Sequence, residues 1–138
     1  MSLMAFLWRC TGFTLFLISS AAQPAPQAFI ADVKNGEVLY GRCVACHALA
    51  NDRTGPRHCG LIGRKAGAVK EFEYSAAMKH SKIVWTTKTL DKFLTNPLKM
   101  MPGTSMGYAG ITDPKERRDL IAYLLDANNS EVCRKILR

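Results

Sequence analysis

Charge is almost missing from the start of this chain: Arg9 is the sole charged residue before Asp32. A long hydrophobic run is missing there too. The apolar stretch from Phe13 to Ile18 falls short of the ~20 residues a spanning helix needs, which disfavours a transmembrane anchor. Small residues, Ser20-Ala21-Ala22, follow it. A basic residue, a short apolar core and small residues in that order predict a cleaved export signal over residues 1–22. Residues 23–31 (Gln-Pro-Ala-Pro-Gln-Ala-Phe-Ile-Ala) lack any periodicity and are expected to be a flexible leader. Residues 32–138 suit one domain. Cys10 precedes the apolar core, lacks the small-residue context of a lipid-modified cysteine, and is expected to leave with the signal.

Acidic residues are scarce as well, 11 against 19 lysines and arginines, for a formal net charge of +8. Such a surface suits acidic protein or membrane partners, or is simply a solvated basic face. Nucleic acid is disfavoured, because the lysines are scattered, no binding motif is present, and an exported chain rarely meets it. No convincing strand alternation, internal repeat or low-complexity tract is visible. The fold class expected is therefore all-α.

What is present is Cys43-Val44-Ala45-Cys46-His47. This is the pattern of c-type haem attachment. Two thiols at this spacing can each add across one vinyl group of a haem, and the next residue, His47, can bind the iron. A thioredoxin-like dithiol would need a βαβ setting, which is absent. A four-ligand zinc site would need a second ligand pair at standard spacing, and the adjacent His58 and Cys59 do not provide it. An exported chain also meets the oxidising compartment in which bacterial haem attachment takes place.

Helical periodicity is local. Val33, Gly36, Glu37, Tyr40 and Val44 predict a helix from Asp32 to Gly41, with Asp32 or Asn35 as its cap. Gly36 inside it costs about 1 kcal/mol against Ala, which suggests that another backbone crosses closely there. Residues 48–72 are broken by Gly55-Pro56, Gly60, Gly63 and Gly67. A short helix is expected from Tyr74 to Lys79. Another runs from Thr86-Thr87 to Thr95, with Leu90, Phe93 and Leu94 inward, and stops at Asn96-Pro97. Residues 96–112 form a second loop, with a turn at Pro102-Gly103. Asp113, Pro114 and Glu116 predict an N-cap, a first helical proline and a capping box for a last helix to about Ala127. Its buried stripe is Leu120, Ile121, Leu124 and Leu125. Two loops longer than fifteen residues would normally count against a compact domain, and a large apolar cofactor removes the conflict.

The second loop reads Asn96-Pro-Leu-Lys-Met-Met-Pro-Gly-Thr-Ser-Met106. Its three methionines suit either apolar filler or an iron ligand. The segment resembles the Asn-Pro-x-x-x-x-Pro-Gly-Thr-x-Met stretch of the class I c-type cytochromes. Thr54-Gly-Pro56 and Gly60-Leu-Ile-Gly-Arg-Lys-Ala-Gly67 resemble the histidine-side loop of that family. Tyr108-Ala-Gly-Ile111 and Arg118-Asp-Leu-Ile-Ala-Tyr-Leu124 resemble its last helix, and Gly36 and Tyr40 its helix crossing. The likeness spans roughly Asp32 to Ala127 and is strongest to the mitochondrial-like branch in an exported bacterial form. It implies a cytochrome c fold of three to four short helices and long loops around one haem c, held through Cys43 and Cys46. It implies His47 and Met106 as axial ligands, with the second ring N–H of His47 on the Pro56 carbonyl. It further implies Arg64, Tyr74, Trp85 and Thr104 as donors near the propionates, beside the packing that Trp85 and Tyr74 would supply anyway.

There are departures. Phe93 stands where mitochondrial members carry a Tyr that hydrogen-bonds the Met sulfur, and Met78 where many have a buried Asn. Both make the Met side drier. Ser105, Thr112 and Asp113 replace basic residues near the haem edge, while Arg42 and Lys99 remain. Of five cysteines, Cys59 and Cys133 are left over. An intramolecular disulfide between them is expected, with free thiols or an intermolecular bridge as the alternatives. His58 and His80 have no partner pattern and are expected at the surface.

The expected function is that of a soluble, monomeric, periplasmic electron carrier rather than an enzyme. It would exchange single electrons with redox proteins bearing acidic docking surfaces, a membrane-bound oxidoreductase among them, either as a free carrier or as a subunit of one. The alternative is a haem sensor or peroxidase-like enzyme in which Met106 leaves the iron easily.

Overall fold

The computed structural model describes residues 30–137. The expected signal and residues 23–29 of the leader lie outside the described residues. Six helices follow in order: α1 (Val33–Tyr40), α2 (Ala76–His80), α3 (Thr87–Thr95), α4 (Pro97–Met100), α5 (Pro114–Asn128) and α6 (Glu131–Ile136). Among the described residues there is no strand, only an isolated antiparallel bridge between Lys65 and Val84.

The caps follow from local chemistry. The Asp32 carboxylate accepts the Asn35 N–H at 3.1 Å and starts α1. Thr86 and Thr89 exchange side-chain-to-backbone hydrogen bonds, a full capping box for α3. Asp113 caps α5 through the Lys115 N–H at 2.7 Å, with Pro114 in the first turn. Glu116 does not complete the expected box there. Its carboxylate instead takes both guanidinium nitrogens of Arg42, at 2.7 and 3.2 Å.

Two helices exceed the three to four expected. Asn96 does stop α3, but its side chain then accepts the Lys99 N–H at 2.9 Å and starts the single turn α4. Ser130 caps α6, which carries the buried Cys133.

The core lies where α1 crosses α5. The buried face of α1 is Gly36, Leu39 and Tyr40, whereas Val33 and Val44 of the expected stripe are exposed. A Cβ on Gly36 would overlap the Asp119 carbonyl, so only glycine permits this crossing. Asp119 is fully buried within α5. It accepts the Asp32 N–H at 3.0 Å, the Asn35 amide at 2.8 Å and the Lys115 ammonium at 2.6 Å. The hydrogen bond from Lys115 is the largest influence holding its pKa down at about 2, against the opposing effect of desolvation. From α5, Leu120, Ile121 and Leu124 point inward, as do Leu90, Phe93 and Leu94 from α3. Each such side chain contributes roughly 1.5–3 kcal/mol on burial. Arg117 ties α5 to α3 through Asp91 at 2.7 Å and also donates to the Ile111 and Thr112 carbonyls.

The long segment between α1 and α2 is pinned rather than loose. Asn128, at the end of α5, donates to the His58 carbonyl at 3.2 Å and accepts the Leu61 N–H at 3.0 Å. Cys59 and Cys133 are disulfide-bonded and buried, with Cα atoms 5.0 Å apart. The bond clamps α6 onto the same segment.

Candidate haem site

The end of α1 delivers the Cys-x-x-Cys-His segment. Helical backbone bonds continue past Tyr40, from the Cys43 N–H to Tyr40 and from the His47 N–H to Cys43, both at 2.8 Å. The three ligand-type side chains are thus placed by a rigid element. Cys43 is half-buried, Cys46 is exposed, and both thiols are free, while Cys59 and Cys133 are used elsewhere. Burial pushes the Cys43 thiol up to about 11, Arg42 pulls against this, and the thiol stays protonated at neutral pH.

His47 is held from several directions. Its Nδ1 lies 2.7 Å from the Pro56 carbonyl, which fixes Nδ1 as the donor and leaves Nε2 available to a metal. The Gly55 N–H donates to the Cys46 carbonyl at 2.7 Å, bringing that backbone so close that a Cβ on Gly55 would overlap the imidazole. Desolvation lowers the His47 pKa, and the Pro56 bond partly opposes it.

Beside His47 lies a cavity of about 370 Å³, within the range of small-molecule sites. Apolar walls come from Leu61, Trp85, Leu90, Phe93, Leu120 and Leu124. Cys43, Cys46, His47 and Met106 all line it. Met101, by contrast, is buried in the protein core, and neither it nor Met100 lines the cavity. Arg64, Tyr74 and Thr104 line the cavity as well. Arg64 is half-buried and donates to the Cys59 and Arg57 carbonyls at 3.0 and 2.9 Å. Burial lowers its pKa and raises that of Tyr74. The Thr104 hydroxyl accepts the Met106 N–H at 3.3 Å. Trp85 packs on Phe93 at 5.0 Å between ring centroids. An apolar cavity carrying two free thiols, an oriented imidazole and a thioether fits a covalently attached haem in its donor set and its polarity.

The family model for cytochrome c matches residues 33–128. The chain belongs to the cytochrome c family. Cytochrome c2 of Agrobacterium tumefaciens (strain II Chrys) is 43% identical over 106 residues, covering 72% of this chain and 96% of that protein. Cytochrome c type-1 of Ascaris suum is 43% identical over 107 residues, covering 75% and 91%. Among solved structures, cytochrome cH from Methylobacterium extorquens aligns with a TM-score of 0.68 and 38% identity, over 70% of this chain and 99% of that one. The chain is accordingly an electron-transfer cytochrome with one covalently bound haem c and redox proteins as partners.

One expectation about a residue of the cavity fails. His58 is not a surface residue: it is half-buried, lines the cavity and stacks on His47 with ring centroids 4.4 Å apart and planes at 20°. Burial pulls its pKa down to about 3, helped by His47 and Arg64, so it is neutral. Its place beside a buried disulfide cysteine was the sole sequence cue. His80 is exposed as expected.

Proposed function

We propose that the chain is an exported, monomeric single-electron carrier of the periplasm, and not an enzyme. In this reading Cys43 and Cys46 hold the haem through thioethers, and His47 and Met106 ligate its iron. The observation that carries the reading is the His47 ring, fixed by Pro56 at 2.7 Å on the cavity that Met106 also lines. When bound, haem c supplies a one-electron iron couple. The chain supplies the rest. His47 presents Nε2, and Met106 offers a soft sulfur that favours the reduced state. Arg64, Tyr74, Trp85 and Thr104 provide donors for carboxylates that would otherwise be desolvated without partners. Phe93, Leu90 and Leu94 keep water away. The net charge, +8 for the full chain and +7 once Arg9 leaves with the expected signal, favours partners with acidic docking faces.

Among the described residues no carboxylate lines the cavity, and its second histidine is stacked on His47. That is a poor setting for the acid–base work of peroxide chemistry. Cyanide binding to the oxidised protein tests the reading. A six-coordinate carrier binds it slowly, after Met106 dissociates. Diffusion-limited binding would instead indicate an open site and the sensor or enzyme reading.

A further inference from the structure

A leucine would pack behind His47 without desolvation cost, yet the chain places a polar ring there. Burying a polar group is unfavourable unless it is hydrogen-bonded, and here the bond exists. The Tyr40 hydroxyl lies 3.1 Å from His58 Nδ1. Tyr40 is itself buried on the α1–α5 crossing, where its ring meets Tyr123 at 5.1 Å. The backbone of His58 is fixed at both polar atoms: its N–H donates to the Ala48 carbonyl at 3.0 Å and its carbonyl accepts from Asn128 at 3.2 Å. The next residue, Cys59, is in the disulfide. A rigidly held, oriented imidazole therefore lies nearly parallel to the His47 ring.

We propose that Tyr40 and His58 are a polar positioning pair, which sets the plane of the His47 imidazole and lowers the potential of the iron it binds. The proposal rests on His47 being an iron ligand. The Pro56 hydrogen bond fixes one edge of that ring, and the His58 stack limits its rotation about that bond. With haem bound, a polar pair beside His47 in place of apolar packing would favour the more highly charged, oxidised form, as polar surroundings do around a metal centre.

The test uses the haem-loaded protein and its Tyr40→Phe, His58→Leu and double variants. Readouts are the midpoint potential, the low-temperature electron paramagnetic resonance spectrum of the oxidised form, and the thermal midpoint. His58→Leu is expected to shift the reduced-to-oxidised ratio roughly threefold toward reduced, ~30 mV upward at 59 mV per tenfold, and to move the resonance spectrum. Tyr40→Phe gives a smaller shift of the same sign, and the double variant matches His58→Leu alone. Unchanged potentials and resonance spectra would overturn the proposal even if the variants melt earlier, because a purely packing role predicts only that. A downward shift, or shifts that simply add, would overturn it too. If His58→Leu fails to load haem, Tyr40→Phe decides by itself, since it removes one oxygen and keeps the packing. A wild-type spectrum without histidine ligation would overturn the ligand reading first and this proposal with it.

Discussion

Single residues with close neighbours carry the clearest consequences. Gly55 leaves no room for a Cβ beside the His47 ring. Gly55→Ala is therefore expected to displace His47 or Pro56 and to reduce haem incorporation, measured as bound haem per chain. Phe93 is buried against Trp85 and brings no hydroxyl to the cavity. Phe93→Tyr adds a donor that draws density from the Met106 sulfur, so its midpoint potential should rise by ~30 mV, about a threefold change in the redox equilibrium. An unchanged potential would mean that the ring does not reach the Met106 side. Asp119 titrates far below its ordinary value of 3.8, at about 2, chiefly through its hydrogen bond with Lys115. Because the folded-state value is depressed, its contribution is complete above 3.8 and fades as pH falls through 2. Asp119→Asn should lower stability at neutral pH by roughly 2 kcal/mol and flatten the acid limb of the unfolding profile. Neither Asp119 nor His58 was legible in the sequence as a key residue. Only Lys115 is local to Asp119; its other two partners, Asn35 and Asp32, lie 84 and 87 positions away, and nothing in a linear pattern marks such pairs.

At the scale of elements, the longer helices were legible because their caps and apolar stripes agree. Thr86 with Leu90, Phe93 and Leu94 gave α3, and Asp113-Pro114 with Leu120, Ile121 and Leu124 gave α5. The single turn α4 and the six-residue α6 are too short for a periodic signal to develop. Glu116 shows a different limit: a capping-box residue was drawn away by Arg42, 74 positions distant. Gly36 was legible as a close crossing, and the family resemblance pointed to the last long helix as its partner, although not to the Asp119 carbonyl it meets. Gly36→Ala should cost roughly 3 kcal/mol in denaturant unfolding, because neither the Asp119 backbone nor α1 can yield without losing the core. The disulfide was legible from cysteine counting alone. Removing it by paired Cys59→Ser and Cys133→Ser changes should cost roughly 4 kcal/mol on the chain-entropy account, through release of α6. Equal unfolding midpoints for the oxidised and reduced wild-type protein would contradict this.

At the scale of the whole molecule, short helices and pinned loops enclose a cavity whose donors are all on one chain. The motif around Cys43 and His47 announced the cofactor, and the loop with Met106 supplied a further thioether that lines the same cavity, so two short stretches account for its soft and imidazole donors. The electrostatic surface was less so. Arg42 flanks Cys43 and lines the cavity, yet Glu116 holds its guanidinium. Glu116→Gln should free that charge. Electron transfer to an acidic partner is then expected to quicken roughly twofold to fivefold at low salt, with a steeper loss as salt rises. Salt-independent rates would show that this face does not dock.

The central claim is that His47 and Met106 together ligate the iron. The most direct measurement is the weak Met-to-iron charge-transfer band in the absorption spectrum of the oxidised protein, compared among the wild type, Met100→Ala and Met106→Ala. The account predicts the band in the wild type and in Met100→Ala, and its loss in Met106→Ala. A band that survives Met106→Ala, or is absent from the wild type, would contradict it.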